Sequence, residues 1–276
     1  MNIQLIIPIL APEKTFFNDI LPNLETQTVH PKILLINSGS KIPDGNYQIL
    51  TIEQKNFNHA DTRNFSLNYQ ADFYLFMTQD ATPYDEYLIE NLLKSFEDTD
   101  VVVTYARQLP YQNADTIEIF ARHKNYPEDS IVKSKKDLAT LGVKTFFASN
   151  SCAMYQGEYF RSVGGFTPGL NTNEDMEFAA RAILNNKKIA YSAEGKVYHS
   201  HNFTLKQIWL RYREIGKFFS RNPWIHESIA RYRKVESTGI MQAIEELKYL
   251  SKHAPLSIPK SIMISITKYI AFKSYI

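Results

Sequence analysis

Phe73-Tyr74-Leu75-Phe76-Met77-Thr78-Gln79-Asp80 is an apolar run that gives way to a polar triplet ending in a carboxylate. A run of that length, bounded by the turn-formers Ala81-Thr82-Pro83, reads as a strand buried on both faces. Such strands lie inside a mainly parallel sheet. A carboxylate at the end of one falls at the carboxyl edge, where open α/β folds bind their ligands. From the residues alone Asp80 has two readings: a ligand for a hard divalent cation, or the first residue of the following turn.

The flanking sequence repeats the same alternation. Upstream, Ile3 to Ile9 reads as a buried strand, and Phe16, Phe17, Ile20, Leu21 and Leu24 recur at helical spacing. Ile33-Leu34-Leu35-Ile36 is a second strand that runs into Asn37-Ser38-Gly39-Ser40, and Ile49 to Ile52 a third. A helix after His59 leads back to Phe73. Downstream, Leu88, Ile89, Leu92, Leu93 and Phe96 mark a helix before the strand Val101-Val102-Val103. Alternation of this kind predicts an α/β fold with a mainly parallel sheet flanked by helices. From Arg107 to about Lys144 the pattern weakens, which predicts a loop-rich insertion. Thr204 with Gln207 forms a capping box for a helix through Phe219. The expected division is a domain over residues 1–220 and a helical extension over 221–276, membrane- or dimer-associated.

Composition narrows the class. The 276 residues are 44% hydrophobic with a formal net charge of +2, which gives a globular chain and no global field for nucleic acid. Cys152 is the one cysteine, so neither a disulfide within the chain nor a cysteine-based zinc cluster is available. No apolar stretch approaches the roughly 20 residues that span a bilayer. Met1 to Pro8 lacks a basic flank and a cleavage site, so it reads as a strand rather than a signal peptide, and the expected location is cytoplasmic.

Several constellations carry chemistry. Glu174-Asp175 opens a helical segment; a carboxylate there serves as a general base, or, with Thr172, as a capping pair. His199 and His201 point to opposite faces if this piece is extended, and His201 is the favoured metal ligand of the two. In Asn58-His59-Ala60-Asp61-Thr62-Arg63, Arg63 either forks onto a phosphate or holds a carboxylate, and Asn58 or Asp61 can cap a helix. No GxGxxG, P-loop or GxSxG pattern is present, which disfavours dehydrogenases, NTPases and serine hydrolases.

In order along about the first 220 residues, Ile7-Pro8, Asn37-Ser38-Gly39-Ser40, Phe57-Asn58-His59 with Arg63-Asn64, Thr78-Gln79-Asp80, Gly164-Gly165-Phe166, Glu174-Asp175 and His199-Ser200-His201-Asn202 resemble glycosyltransferase family 2. These are inverting enzymes of the GT-A fold, and the closest likeness is to the bacterial rhamnosyltransferases. The resemblance implies that Asp175, with Glu174, is catalytic and that Asp80 and His201 hold Mn²⁺ or Mg²⁺. It implies a nucleotide-sugar site built from Pro8, Asn37, Ser38, Gly39, Asn58, His59, Arg63, Gln79 and Asp80. Asn150, Gly165 and Phe166 would lie toward the acceptor. The usual DxD metal motif is reduced to Thr78-Gln79-Asp80, and Asn37 stands where many relatives have an acid. The QxxRW motif of processive synthases is missing.

The implied function is transfer of one sugar, L-rhamnose from dTDP-L-rhamnose, onto a hydroxyl of a surface-polysaccharide precursor that is lipid-linked or an oligosaccharide. The alternatives are a UDP-hexose donor, or an idle glycan- or nucleotide-binding module. Lys260, Lys268 and Lys273 among apolar residues fit an interfacial helix on the inner membrane face, or a helix docked on its own domain or in a homodimer.

Overall fold

The computed structural model describes residues 1–231 and 237–275. Its strands are β1 Ile3–Ile9, β2 Lys32–Asn37, β3 Gln48–Thr51, β4 Phe73–Met77, β5 Thr82–Pro83, β6 Val101–Leu109, β7 Ile131–Lys133, β8 Cys152–Gln156 and β9 Lys188–Tyr198. The α-helices are α1 Leu21–Glu25, α2 His59–Asn64, α3 Leu88–Leu93, α4 Thr116–Asn125, α5 Leu138–Leu141, α6 Gly157–Ser162, α7 Glu174–Leu184, α8 Leu205–Arg221, α9 Pro223–Ala230, α10 Ser237–His253 and α11 Ile258–Lys273. The chain gathers into two units. The first holds Met1–Gln108, Glu128–Lys135 and Phe146–His199; the second holds Leu109–Pro127, Lys136–Thr145 and Ser200–Ile276. The boundary expected after residue 220 falls inside the second unit, at the end of α8.

The first unit is built on one sheet in the order β3-β2-β1-β4-β8-β6-β9-β5, with β7 paired to β9. The apolar strands form the parallel part: β1 pairs with β2 and β4, and β2 with β3. Beyond β4 the sheet turns antiparallel, at β4 with β8 and at β6 with β8. Pairing of β1 with β4 ends at Ile6, so Pro8 lies past that ladder and its missing N–H removes no bond on that side. The chain steps from β1 outward to β2 and β3 and returns to β4 on the opposite side. That reversal opens a crevice at the carboxyl ends of β1 and β4.

Alternation along β4 fills two cores. Leu75 and Met77 face a layer with Ile3, Leu5, Ile7, Ile9, Leu24, Leu88 and Leu92. Tyr74 and Phe76 face the other way into an aromatic cluster: Phe76 lies 5.3 Å from Tyr155, 5.6 Å from Phe160 and 5.2 Å from Phe166, centroid to centroid. Phe178 of α7 stacks on Phe160 at 5.4 Å. Both sheet faces are therefore covered, which is why these strands read as unbroken apolar runs.

Among the positive-φ glycines of the segment before α7, Gly165 is the one with close neighbours. Gly165 has φ +74°, and a Cβ there would meet Asn64 Oδ1 at 2.5 Å. Asn64 clamps the next residue, accepting from Phe166 N at 2.9 Å and donating to Phe166 O at 2.8 Å. Gly165→Ala is expected to destabilise the fold by about 1–3 kcal/mol, through the left-handed backbone and the displaced clamp, as read by urea denaturation.

The expected loop-rich insertion over 107–144 is ordered instead. β6 continues to Leu109; α4 starts at an Asp115 cap that accepts from Glu118 N; and Ile131–Lys133 pairs with β9. Polar residues masked the helix because α4 needs only Ile117 and Phe120 on its buried face.

In the second unit, α8 carries the expected Thr204–Gln207 capping box. α11 packs against it closely: a Cβ on Gly216 would lie 2.4 Å from Phe272 O, so only glycine fits. α10 meets α4 through Phe120 and Tyr249, 5.1 Å apart, and through a Lys124–Glu245 ion pair at 2.6 Å. No helix among the described residues is long and apolar enough to cross a membrane.

Candidate active site

The crevice edge is formed where β1, β2 and β4 end. Gln79 stitches two of these ends together: its Oε1 accepts from Leu10 N at 2.8 Å and its Nε2 donates to Leu10 O at 3.1 Å. Asn37 closes the β2 turn by accepting from Gly39 N at 3.1 Å and Ser40 N at 2.8 Å. Gly39 takes φ +117°, and the buried Ser38 hydroxyl makes no hydrogen bond among the described residues. Thr51, Ile52, Glu53, Asn56, Asp61, Thr62 and Phe65 line a cleft of about 350 Å³ in the same unit, where the buried Thr62 hydroxyl is likewise without a partner among the described residues. Of these residues the sequence singles out Asp61, as a helix cap; the short β3 and the turn after it carry no motif.

Asn58 spends its side chain on capping α2. Its Oδ1 accepts from Asp61 N at 2.7 Å, while Nδ2 donates to Asp61 Oδ2. Asp61 Oδ1 also accepts from Gly169 N at 3.0 Å.

Asp80 follows β4, and His199 Nε2 lies 3.5 Å from its Oδ1. His199 is thus a candidate beside the expected His201: it is 7% exposed and its ring faces Asp80. The missed signal was strand period, since Gly195, Val197 and His199 are the buried alternate residues of β9 and its exit. Carboxylate oxygen with imidazole nitrogen is a donor set that Mn²⁺ accepts.

The Glu174-Asp175 pair sits at the start of α7, and its two carboxylates are treated in opposite ways. Glu174 is buried and meets Arg63 Nη1 at 3.2 Å, and it accepts from Asn150 Nδ2 at 2.9 Å. Arg63 also bonds His59 Nδ1 at 2.9 Å. Of the two roles expected for Arg63, this is the carboxylate-holding one. Burial pushes the Glu174 carboxyl up, but Arg63, His59 and Asn150 outweigh it and hold it below the ordinary value.

Asp175 is less completely buried. Its Oδ2 accepts from Asn150 N at 2.9 Å and its Oδ1 from Met176 N at 2.7 Å. Burial first, and the neighbouring Glu174 charge second, push its carboxyl up to about 7. Thr172 does not form the expected capping pair with it: α7 starts after Asn173 in the left-handed region, with no side-chain cap. A carboxyl that titrates near neutrality is matched to proton abstraction.

Asn150 is 3% exposed and accepts from Tyr155 OH at 2.8 Å, so it braces the carboxylates rather than presenting itself to an acceptor. Phe166 is fully buried in the aromatic cluster, which removes it from an acceptor surface, and Gly165 is buried beside Asn64. Burial also pushes the Cys152 thiol far up, so it is no nucleophile.

Across 99% of the chain and 89% of the relative's length, the sequence is 37% identical to the O-antigen chain rhamnosyltransferase RfbN of Salmonella typhimurium. The chain belongs to the rhamnosyltransferases of glycosyltransferase family 2. It is 36% identical to another rhamnosyltransferase for the O-antigen chain, WbaN of Salmonella anatum, over 99% of this chain and 88% of that one. No family model matches the sequence. As a family-2 rhamnosyltransferase it shares the GT-A fold of solved glycosyltransferases. The mannosyltransferase PcManGT of Pyrobaculum calidifontis, solved with GDP-Man and Mn²⁺, superposes with a TM-score of 0.61 at 14% identity, covering 98% of this chain and 86% of that one. TarS of S. aureus, residues 1–349, gives 0.57 at 13% identity over 100% and 91%. The enzyme is thus a glycosyltransferase that adds a single sugar to a polysaccharide.

Proposed function

We propose that the enzyme transfers L-rhamnose from dTDP-L-rhamnose onto a hydroxyl of a lipid-linked surface-polysaccharide precursor at the cytoplasmic membrane face. The observation that carries the chemistry is Asp175, a carboxyl at about 7 held by two backbone N–H groups. It takes the proton of the acceptor hydroxyl. The hydroxyl oxygen forms a bond to the anomeric carbon on the side opposite the nucleotide, and the bond from that carbon to the phosphate oxygen breaks with inversion. Glu174, neutralised by Arg63, tunes Asp175 rather than reacting.

The 350 Å³ cleft, with the Thr62 hydroxyl, and the nearby Asn37-Ser38-Gly39 turn support a nucleotide subsite. Asp80 and His199 of the first unit would hold a divalent cation, with His201, two residues further along the backbone, as the further ligand that the family resemblance implies. A cation there supplies charge neutralisation for the departing diphosphate.

A thermal-shift screen with and without Mn²⁺, followed by donor turnover, tests this reading. Stabilisation by dTDP-L-rhamnose over UDP-glucose and UDP-galactose supports it; preference for a UDP-hexose replaces the donor, and binding without any turnover makes the chain a binding module.

The acceptor's lipid suggests a role for α11. Ile262, Met263, Ile266, Tyr269 and Ile270 are all exposed on one face of it, with Lys273 among them. Lys260 and Lys268 are otherwise engaged: Lys260 pairs with Asp115 at 2.7 Å, and Lys268 lies over the Tyr212 ring. Residues 200–276 nonetheless carry thirteen Lys or Arg against five Asp or Glu, which suits an anionic leaflet. Ile262, Ile266 and Tyr269 changed together to Ser are expected to abolish flotation with vesicles containing anionic lipid. Unchanged flotation, or loss of a dimer by light scattering instead, removes the membrane role.

A further inference from the structure

Gln108, near the end of β6, is 2% exposed and has both ends of its amide engaged. Ser149 Oγ donates to Ser151 Oγ at 3.3 Å, so it accepts from Gln108 Nε2, 2.9 Å away. In this network the amide is assigned with Nε2 toward Ser149. Oε1 is then the atom 2.9 Å from His199 Nδ1. A carbonyl oxygen only accepts, so Nδ1 carries the imidazole proton. In the neutral ring Nε2 then holds the lone pair, 3.5 Å from the Asp80 carboxylate oxygen. Either a second ring proton or a divalent cation can sit between those two atoms.

We infer that Gln108 is a positioning residue that holds His199 in the Nδ1–H tautomer and thereby makes Nε2 a metal-ligand atom beside Asp80. The inference rests on the reading that Asp80 and His199 hold the divalent cation. A ligating histidine needs its other nitrogen tied down, because a ring that can rotate or exchange tautomers spends part of its time presenting N–H to the metal. Glutamine suits the place because it accepts at one end and donates at the other. Its donor end steadies Ser149, next to the Asn150 backbone that holds Asp175, so one buried amide braces both the ligand and the loop beneath the base.

The test uses the full chain in two ways that need no turnover. Ring ¹⁵N NMR of the metal-free protein, with the His199 signals assigned by their absence in His199→Ala, is expected to show Nδ1–H in the wild type and a shift toward Nε2–H in Gln108→Leu. Mn²⁺ binding followed by EPR with dTDP present is expected to weaken about 10- to 100-fold in Gln108→Leu. Gln108→Glu, whose carboxylate still accepts from Nδ1–H, is expected to keep the affinity, which guards against reading misfolding as the effect. An Nε2–H tautomer in the wild type, or wild-type Mn²⁺ affinity in Gln108→Leu, overturns the role of Gln108. Undiminished Mn²⁺ binding by His199→Ala overturns the metal assignment itself and this inference with it.

Discussion

Asp175→Asn is expected to lower transfer by about 10² to 10⁴ while leaving donor binding within reach of the wild type, because the amide cannot accept the acceptor's proton. The amide oxygen can still accept from one of the two N–H groups, Asn150 N or Met176 N, which Asp175 serves with separate oxygens, and retained donor binding shows that the loop is kept. Nucleoside-diphosphate release in the presence of acceptor measures the first effect and donor calorimetry the second; ordinary turnover in this variant would remove Asp175 from the mechanism. In the wild type the same carboxyl sets the pH response. It must be ionised to act, so kcat/KM is expected to rise through a limb near pH 7, where the pair titrates. Glu174→Gln deletes the neighbouring negative charge and leaves Arg63 unopposed; both changes favour the Asp175 anion, so the limb should move to lower pH. Linkage gives the opposite sign for stability. A carboxyl raised in the folded state favours the fold fully below its unfolded value of about 4 and loses that contribution as pH rises through 7. The proposed base is held at a cost to the fold near neutral pH.

Arg63→Met is expected to cost about 3–5 kcal/mol of unfolding free energy, the largest stability effect anticipated here, because it strands a buried carboxylate. Both Arg63 and Glu174 are nearly inaccessible, at 3% and 5% of side-chain area. Adding Glu174→Gln to Arg63→Met should recover most of the loss, since two well-packed neutral groups avoid the burial penalty that one unpaired charge suffers. Chemical denaturation of the two single variants and the double variant completes the cycle. Equal losses in Arg63→Met and the double variant would show that Arg63 acts through packing rather than through its charge.

The apolar runs made most of the first unit legible. Ile3 to Ile9, Ile33 to Ile36 and Phe73 to Met77 are buried on both faces, and burial of that kind leaves an unbroken mark in the sequence. Asp80 and Asp175 were legible for a related reason: each lies at the end of a periodic element, where a carboxylate stands out. The histidine facing Asp80 was less so. His199 continues the alternation of β9 by one step past its end, and the reading stopped at the alternation between His199 and His201 themselves. Arg63 and Glu174 lie more than a hundred residues apart, and no local pattern announces an ion pair made by folding. The same holds for Gln108, whose two bonds run to distant segments. α4 was missed because two buried residues in ten leave a weak helical period.

The Tyr155 hydroxyl joins the aromatic cluster to the candidate base, through Asn150. Its ring packs against Phe76, Phe160, Phe166 and Phe178, all within 5.1 to 5.5 Å. The interior of the first unit therefore serves as the anvil on which the proposed base rests. A substitution that loosens those rings by a fraction of an ångström reaches Asn150 before it melts the domain, so catalytic wear should precede unfolding. Anyone hardening this enzyme against heat has more freedom on the outer helices than in that cluster, where a gain in packing that tilts one ring is read out as lost turnover.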